Sequence, residues 1–189
     1  MSRHPVPLAG APAAFGMRLL ILSLTVLFGA ALAGYWITGR RLDPAMEVTI
    51  PGVMYGSTMA LVAAAMLLGA AWQQLRRSAA GQARGLLWPA LVAAVAFLAL
   101  QIPALLQLLE QHRAAVIHGR PLLGFVFFLV LLHAVHVAGG LAALVVLVRR
   151  AARRPLAPDQ DGPALRDCSR YWHFLDVVWL AMFAVFLVV

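Results

Sequence analysis

Five long apolar segments divide this chain of 189 residues, and arginine-bearing polar stretches separate them. The segments cover residues 18–38, 51–72, 86–109, 121–148 and 171–189. Each is long enough as an α-helix to cross the hydrocarbon core of a bilayer, which takes about 20 residues. Because a spanning helix satisfies its own backbone hydrogen bonds, the pattern predicts an all-α polytopic membrane protein with a bundle of five transmembrane helices.

The composition excludes several classes of protein. Hydrophobic residues make up 63% of the chain, charged residues make up 12%, and the mean hydropathy is +0.87. A soluble domain is only about half apolar and about one quarter charged, so a soluble enzyme and a disordered tail are both excluded. The net charge of +8 at first suggests a nucleic-acid partner. The arginine distribution assigns that charge to membrane topology instead, with anionic lipid headgroups as the expected partner and no nucleic acid.

The arginines also predict the orientation of the chain. Eleven of the fifteen lie in the N-terminal flank or in the breaks after the second and fourth segments, and four lie in the other two breaks. Basic residues accumulate on the cytoplasmic side of a membrane, which predicts a cytoplasmic N-terminus and a periplasmic C-terminus. Residues 1–17 are rich in Pro and Ala, and we expect a flexible cytoplasmic tail there, followed by the five-helix domain over residues 18–189.

Prolines predict two interruptions of regular structure. Pro103 falls inside the third segment, where it removes a helical hydrogen bond, and it predicts a kink or break near residues 99–103. Pro155, Pro158 and Pro163 fall between the fourth and fifth segments, where they predict a long, exposed and irregular loop.

Two histidines form the first group of ionisable residues inside the predicted spans, where such residues are costly and often functional. His133 and His136 are three residues apart and share a helix face, and Gly140 nearby would let another helix approach. They could ligate a haem or metal, relay protons, or form hydrogen bonds across the bundle. Depth disfavours a haem between two helices. His136 lies about 20 Å from the cytoplasmic end, and His173 of the fifth segment lies only about 5 Å from it.

The fifth segment carries the second group. Trp172 and Trp179 are seven residues apart and share a stripe with Asp176 between them. Tyr171 and Trp172 follow an arginine and are expected to anchor the helix at the cytoplasmic interface. Asp176 needs a partner or a proton, and His173 is the nearest candidate, with a loop arginine or a tryptophan N–H as alternatives. The carboxylate could serve a lipid or subunit contact, collect protons, or form a packing hydrogen bond.

These residues carry a resemblance to a known family. Residues 171–179 read Tyr-Trp-His-Phe-Leu-Asp-Val-Val-Trp and resemble the closing signature of cytochrome c oxidase subunit III, Tyr-Trp-His-Phe-x-Asp-Val-Val-Trp. Residues 133–140 are similar to the His-x-x-His-Val-x-x-Gly of that family's preceding helix. The stretch ending at Gln101 is similar to a glutamine-bearing stretch one helix earlier. The order and spacing of the three motifs agree with the family over residues 18–189.

The resemblance implies a specific role. Subunit III packs against and stabilises the catalytic subunit I of a respiratory haem–copper terminal oxidase, holds lipids and aids proton uptake in aerobic electron transport. The short five-helix members are multi-pass proteins of the bacterial inner membrane. The haem and copper are then in subunit I, with no cofactor, metal or catalytic residue expected in this chain. The residues carried over have structural, lipid- or proton-related roles: His133, His136, Gly140, Trp172, His173, Asp176, Trp179 and Gln101.

Three departures from the family pattern keep alternatives open. Family members usually carry a Ser-Glu pair where this chain has Ser23-Leu24. They carry glutamates near the positions of Ala104 and Arg166. These losses suit an accessory subunit III-like protein of a nitric oxide reductase as the alternative. A stand-alone membrane transporter or b-type cytochrome is the alternative of another class. Cytochrome c and quinol both remain possible electron donors, because those sites would lie on other subunits.

Overall fold

The computed structural model describes residues 11–39, 51–117 and 122–188, and these form five α-helices with no strand among them. All five are long and apolar enough to span a membrane, which confirms the predicted all-α architecture of a multi-pass membrane protein. The orientation of the termini stays a prediction. The helices are α1 (Ala11–Gly39), α2 (Val53–Arg76), α3 (Ala80–Ile117), α4 (Leu122–Arg153) and α5 (Pro158–Val188).

Several helices extend past the apolar segments that predicted them. Helix α1 begins at Ala11, so residues 11–17 of the predicted tail form its first turns, and residues 1–10 lie outside the described residues. The division into tail and domain stays a prediction. Helix α3 continues through Pro103, so the chain does not break there, and the alternative of a kink stays a prediction. In hydrocarbon no water replaces lost backbone hydrogen bonds, which favours continuing the helix around a proline that faces outward.

The predicted long loop before the fifth helix is also wrong, because α4 and α5 extend until only residues 154–157 connect them. An ion pair closes this short connection. Arg154 donates two hydrogen bonds of 2.8 Å to the carboxylate of Asp161, and the Ala157 amide donates a third at 2.9 Å. The Asp161 side chain is 1% exposed, so the charged group is almost entirely enclosed by the turn that it stabilises.

Four helices form a ring, in which α2 packs on α3, α3 on α4, α4 on α5, and α5 on α2. The buried side of α2 follows the helical period and is rich in alanine, which lets its neighbours approach closely. Its buried residues are Met54, Ser57, Leu61, Ala64, Ala65, Leu68, Ala71 and Leu75. The predicted functional residues lie on α3, α4 and α5, so the ring determines which of them meet.

Helix α1 lies outside the ring, in the groove between α4 and α5. One stripe of α1 is buried there and includes Leu24, Phe28 and Tyr35. Its opposite side is open, and Gly16 and Gly29 have nothing near the position of a Cβ atom. Near its beginning, Met17 and Leu20 of α1 line a cleft that α4 and α5 complete.

Candidate functional site: an aromatic interior and a lateral cleft

His133 lies at the centre of the bundle inside a wall of rings. Its imidazole stacks on Trp179 with a centroid distance of 5.2 Å. It meets Phe28 and Phe97 edge-on at 6.1 Å and 6.0 Å. Both ring nitrogens are buried and have no hydrogen-bond partner among the residues that the structure describes. The predicted hydrogen bond across the bundle is therefore wrong for His133, since neighbouring helices present rings to it.

His136 also faces α1, but its side chain is only half-buried. Its ring meets Phe28 at a centroid distance of 5.5 Å, so both histidines face α1 as their spacing predicts. The Nδ1 atom of His136 donates a hydrogen bond of 2.7 Å to the Leu132 carbonyl of its own helix. The carbonyl oxygen of His136 accepts a hydrogen bond of 3.1 Å from the Tyr171 hydroxyl. The backbone of His136, and not its imidazole, joins α4 to α5.

Gly140 allows a close approach of α4 and α5. A Cβ atom at this position would lie 3.0 Å from Cε1 of Tyr171 and 3.4 Å from the Trp172 ring. Both rings are therefore buried in the bundle, and Trp172 is fully enclosed. The prediction that Tyr171 and Trp172 anchor the helix at the membrane interface is wrong. Because glycine has no side chain, the two rings can pack into the space beside Gly140.

Hydroxyl groups on α2 complete the polar interior. The indole N–H of Trp179 donates a hydrogen bond of 2.8 Å to Oγ1 of Thr58. The Ser57 hydroxyl donates one of 3.1 Å to Oε1 of Gln101 on α3, which is buried. Sequence reasoning placed Trp179 and Gln101 but missed Ser57 and Thr58. Their two adjacent hydroxyl groups near the start of an apolar helix were the sequence feature that could have indicated hydrogen bonds to other helices.

His173 and Asp176 lie at the edge of α5 that faces α2. The exposed His173 places Nε2 3.0 Å from where a Cβ atom on Gly69 would lie. Asp176 is half-buried, and its buried Oδ1 atom has no hydrogen-bond partner among the described residues. The tryptophan N–H proposed as its partner is directed elsewhere, since Trp179 binds Thr58. The Oδ1 atom of Asp176 is therefore an unsatisfied acceptor at this edge of α5.

The positions where the family usually carries glutamates are filled differently here. Leu24 and Ala104 are buried and apolar. Arg166 is half-buried and donates a hydrogen bond of 3.0 Å to Asp167 beside it. Among the described His, Asp, Glu and Arg side chains, two are fully buried, His133 in the bundle interior and Asp161 in the turn between α4 and α5. No group of three His, Cys, Asp or Glu side chains in the described ranges is arranged to hold a metal ion.

The cleft between α1, α4 and α5 has a volume of about 540 Å³. Its walls are apolar and come from α1, α4 and α5, and the paired glycines of α4 line one end. Arg150 and Asp167 line the other end, about 15 Å further along α4 from Gly140 by helical rise. The volume falls within the range of about 300–1,000 Å³ usual for ligand pockets. An apolar trough that ends in charged groups suits an amphipathic molecule.

These features define a polytopic membrane protein whose signature residues mainly build contacts between its own helices. Residues 10–188 match the family described as cytochrome c oxidase subunit III, and the chain belongs to that family. The predicted resemblance is thereby confirmed. The chain is subunit III of a haem–copper oxidase of the cytochrome c or quinol oxidase type, which implies association with other oxidase subunits.

Curated relatives include both oxidase types. The chain is 28% identical over 185 residues to the cytochrome bo(3) ubiquinol oxidase subunit 3 of Pseudomonas aeruginosa, which covers 94% of this chain and 85% of the relative. It is 41% identical over 63 residues to a probable cytochrome c oxidase subunit 3 of Mycobacterium leprae, covering 33% and 31% of the two chains. It is 42% identical over 64 residues to a probable quinol oxidase subunit 3 of Staphylococcus saprophyticus, again covering 33% and 31%.

Proposed function

We propose that this chain is a non-catalytic subunit of a respiratory terminal oxidase that stabilises the catalytic subunit I and holds phospholipid in its lateral cleft. The observation that carries the proposal is the cleft, together with hydrogen bonds between side chains that join α2 to α3 and to α5. In this proposal subunit I carries the haem and copper, and the chain lies in the bacterial inner membrane with its arginine-rich helix ends in the cytoplasm.

The shape and charge of the cleft support a phospholipid. An acyl chain would lie against the glycine face of α4, where Gly139 leaves open space. The phosphate would lie near Arg150, whose guanidinium group matches phosphate geometry. Asp167 already has Arg166 at 3.0 Å and Arg170 at 4.0 Å, so its negative charge is compensated. Positive charge therefore dominates this end, which favours an anionic headgroup.

Purification in mild detergent tests the assignment to an oxidase complex. The whole complex is isolated from native membranes through a tag on this chain, and mass spectrometry identifies the proteins that co-elute. We expect a haem–copper catalytic subunit. A chain that elutes alone, or with no haem–copper subunit, contradicts the proposal. A purified complex that reduces nitric oxide but not oxygen supports the reductase alternative.

A lipid measurement on the same preparation tests the cleft. Arg150→Gln removes the charge that lines the cleft, whereas Arg149→Gln removes a neighbouring exposed charge that does not line it. We expect the first variant to retain less anionic phospholipid per complex and the second to retain the wild-type amount. Equal lipid content in both variants contradicts the assignment of the cleft.

A further inference from the structure

Asp176 lies at a depth where a carboxylate rarely stays unpaired. It is six residues beyond Arg170, or about 9 Å along α5 by helical rise. Its Oδ1 atom is buried and has no hydrogen-bond partner among the described residues. Ionisable residues inside a membrane nearly always pair with another polar group. On α5 itself, His173 and the indole N–H of Trp172 precede Asp176 by about one turn, and neither donates a hydrogen bond to its Oδ1 atom. A hydrogen-bonded Asp176 therefore requires a donor that the described part of this chain does not place there.

Helix α2, which packs against this edge of α5, cannot supply that donor. His173 lies beside Gly69 of α2, and Trp179 binds Thr58 two to three turns away, so Asp176 lies level with the α2 segment between them. Residues 59–68 of that segment read MALVAAAMLL and contain no hydrogen-bond donor in a side chain. A rotation of the Asp176 side chain toward α2 would therefore find only apolar atoms.

The surface beside Asp176 is open and apolar. Val177 follows it and is 65% exposed, and Leu180 is exposed one turn further along. On α2, Met59 and Met66 are exposed on the helix stripe that leads to Gly69. Methionine side chains adapt to irregular partner surfaces. We name this surface the α2/α5 face, and it consists of Met59, Met66, His173, Asp176, Val177 and Leu180.

We propose that the α2/α5 face is the docking surface for the catalytic subunit, whose transmembrane helix places a hydrogen-bond donor opposite Asp176. This inference rests on the proposed function and names the surface through which it acts. Lipid chains would cover the apolar residues of the face equally well, but they would leave the carboxylate without a donor, which is costly in hydrocarbon. A protein helix with a polar side chain satisfies both requirements.

The outward side of α4 provides a matched control surface. Val135 is 61% exposed, close to the value for Val177, and Phe128 and Leu131 are also exposed there. These three side chains are apolar and need no donor, so lipid satisfies them fully. Val135 and Val177 therefore form a matched pair of exposed valines. Only Val177 has an unpaired carboxylate, that of Asp176, beside it.

Photocrosslinking in native membranes tests the docking surface. A photoreactive benzoylphenylalanine replaces Val177 in one variant and Val135 in the other, and the adducts of the purified complex are identified after irradiation. We expect the probe at Val177 to join the chain to the catalytic subunit and the probe at Val135 to react with lipid. Crosslinks to the catalytic subunit from Val135 alone overturn the inference, as do crosslinks from Val177 only to lipid or to a second copy of this chain.

The control purification separates the two proposals. If the catalytic subunit co-elutes but Val177 never reacts with it, the docking surface is wrong and the proposed function stands. If no catalytic subunit co-elutes, the proposed function fails and the docking surface fails with it.

Substitutions of Asp176 test the hydrogen bond itself. Asp176→Leu removes the acceptor, and we expect the purified complex to retain about fivefold less catalytic subunit per copy of this chain, the effect of one lost hydrogen bond. Asp176→Asn keeps an acceptor oxygen and should restore most of it, whereas Leu131→Ala, on the control surface of α4, should retain the wild-type amount. Wild-type retention in Asp176→Leu overturns the inference.

Discussion

The contact between α2 and α5 and the groove that holds α1 join their helices in different ways. Helices α2 and α5 meet through a hydrogen bond between Trp179 and Thr58 and through a close approach at Gly69. Helix α1 is held mainly by rings, with Phe28 against the two histidines and Tyr35 against Phe186 at 5.4 Å. Because lipid gives apolar helices no hydrophobic reason to associate, close packing and hydrogen bonds decide which contacts close. The α2–α5 contact is joined by a hydrogen bond between side chains, whereas the groove that holds α1 leaves a cleft at one end.

The largest effect is expected at Phe28, one of the two aromatic rings that hold α1 in its groove. Phe28→Ala removes the ring that covers both histidines and should destabilise the packing of α1 by about 3 kcal/mol. Thermal unfolding of the purified complex, followed by loss of this chain from it, measures the change. Val26→Ala alters an exposed residue of the same helix and should have little effect. Equal losses in the two variants would show that α1 is not held by this ring.

The two adjacent glycines of α4 provide a sharper test of the α4–α5 contact. Gly140→Ala places a methyl group 3.0 Å from the Tyr171 ring, and overpacking of this kind should cost about 2 kcal/mol. Gly139→Ala adds the same group where nothing lies within 4 Å and should be neutral. The same unfolding measurement compares them. A neutral Gly140→Ala would contradict the close approach.

A smaller loss of stability is expected at the hydrogen-bonded contact between α2 and α5. Trp179→Phe keeps an aromatic ring near His133 but removes the hydrogen bond to Thr58, which should cost about 1 kcal/mol. Trp88→Phe alters an exposed tryptophan and serves as the control in the same assay. If both variants unfold at the wild-type temperature, the hydrogen bond does not contribute to this contact.

The smallest effect on stability is expected in the open part of the groove. Leu20→Trp enlarges a side chain that lines the cleft, so it should fill the space without disturbing the ring of helices. We expect an unchanged unfolding temperature and a lower phospholipid content, measured by mass spectrometry of extracted lipid. Leu22→Trp enlarges an exposed side chain of α1 outside the cleft and should leave the lipid content unchanged.

The short turn between α4 and α5 could not be predicted from the sequence. Three prolines and a run of arginines are typical of an exposed loop, yet the chain turns within residues 154–157. The cause is the ion pair of Arg154 with Asp161, seven residues apart, whose partners become neighbours only after the turn has formed. Trp172 follows the same logic. Its position beside an arginine indicates the interface, but the space above Gly140 places it in the interior.

The sequence by itself determined the number of helices, the membrane class and the family. Hydrocarbon demands about 20 apolar residues for each crossing and tolerates few polar ones, so those few stand out as motifs. Only the tertiary structure decided what the motifs do. His133 stacks among rings, Gly140 admits Tyr171, and Asp176 is left without a donor. Each outcome depends on what neighbouring helices place opposite a residue, and spacing along one helix does not contain that information.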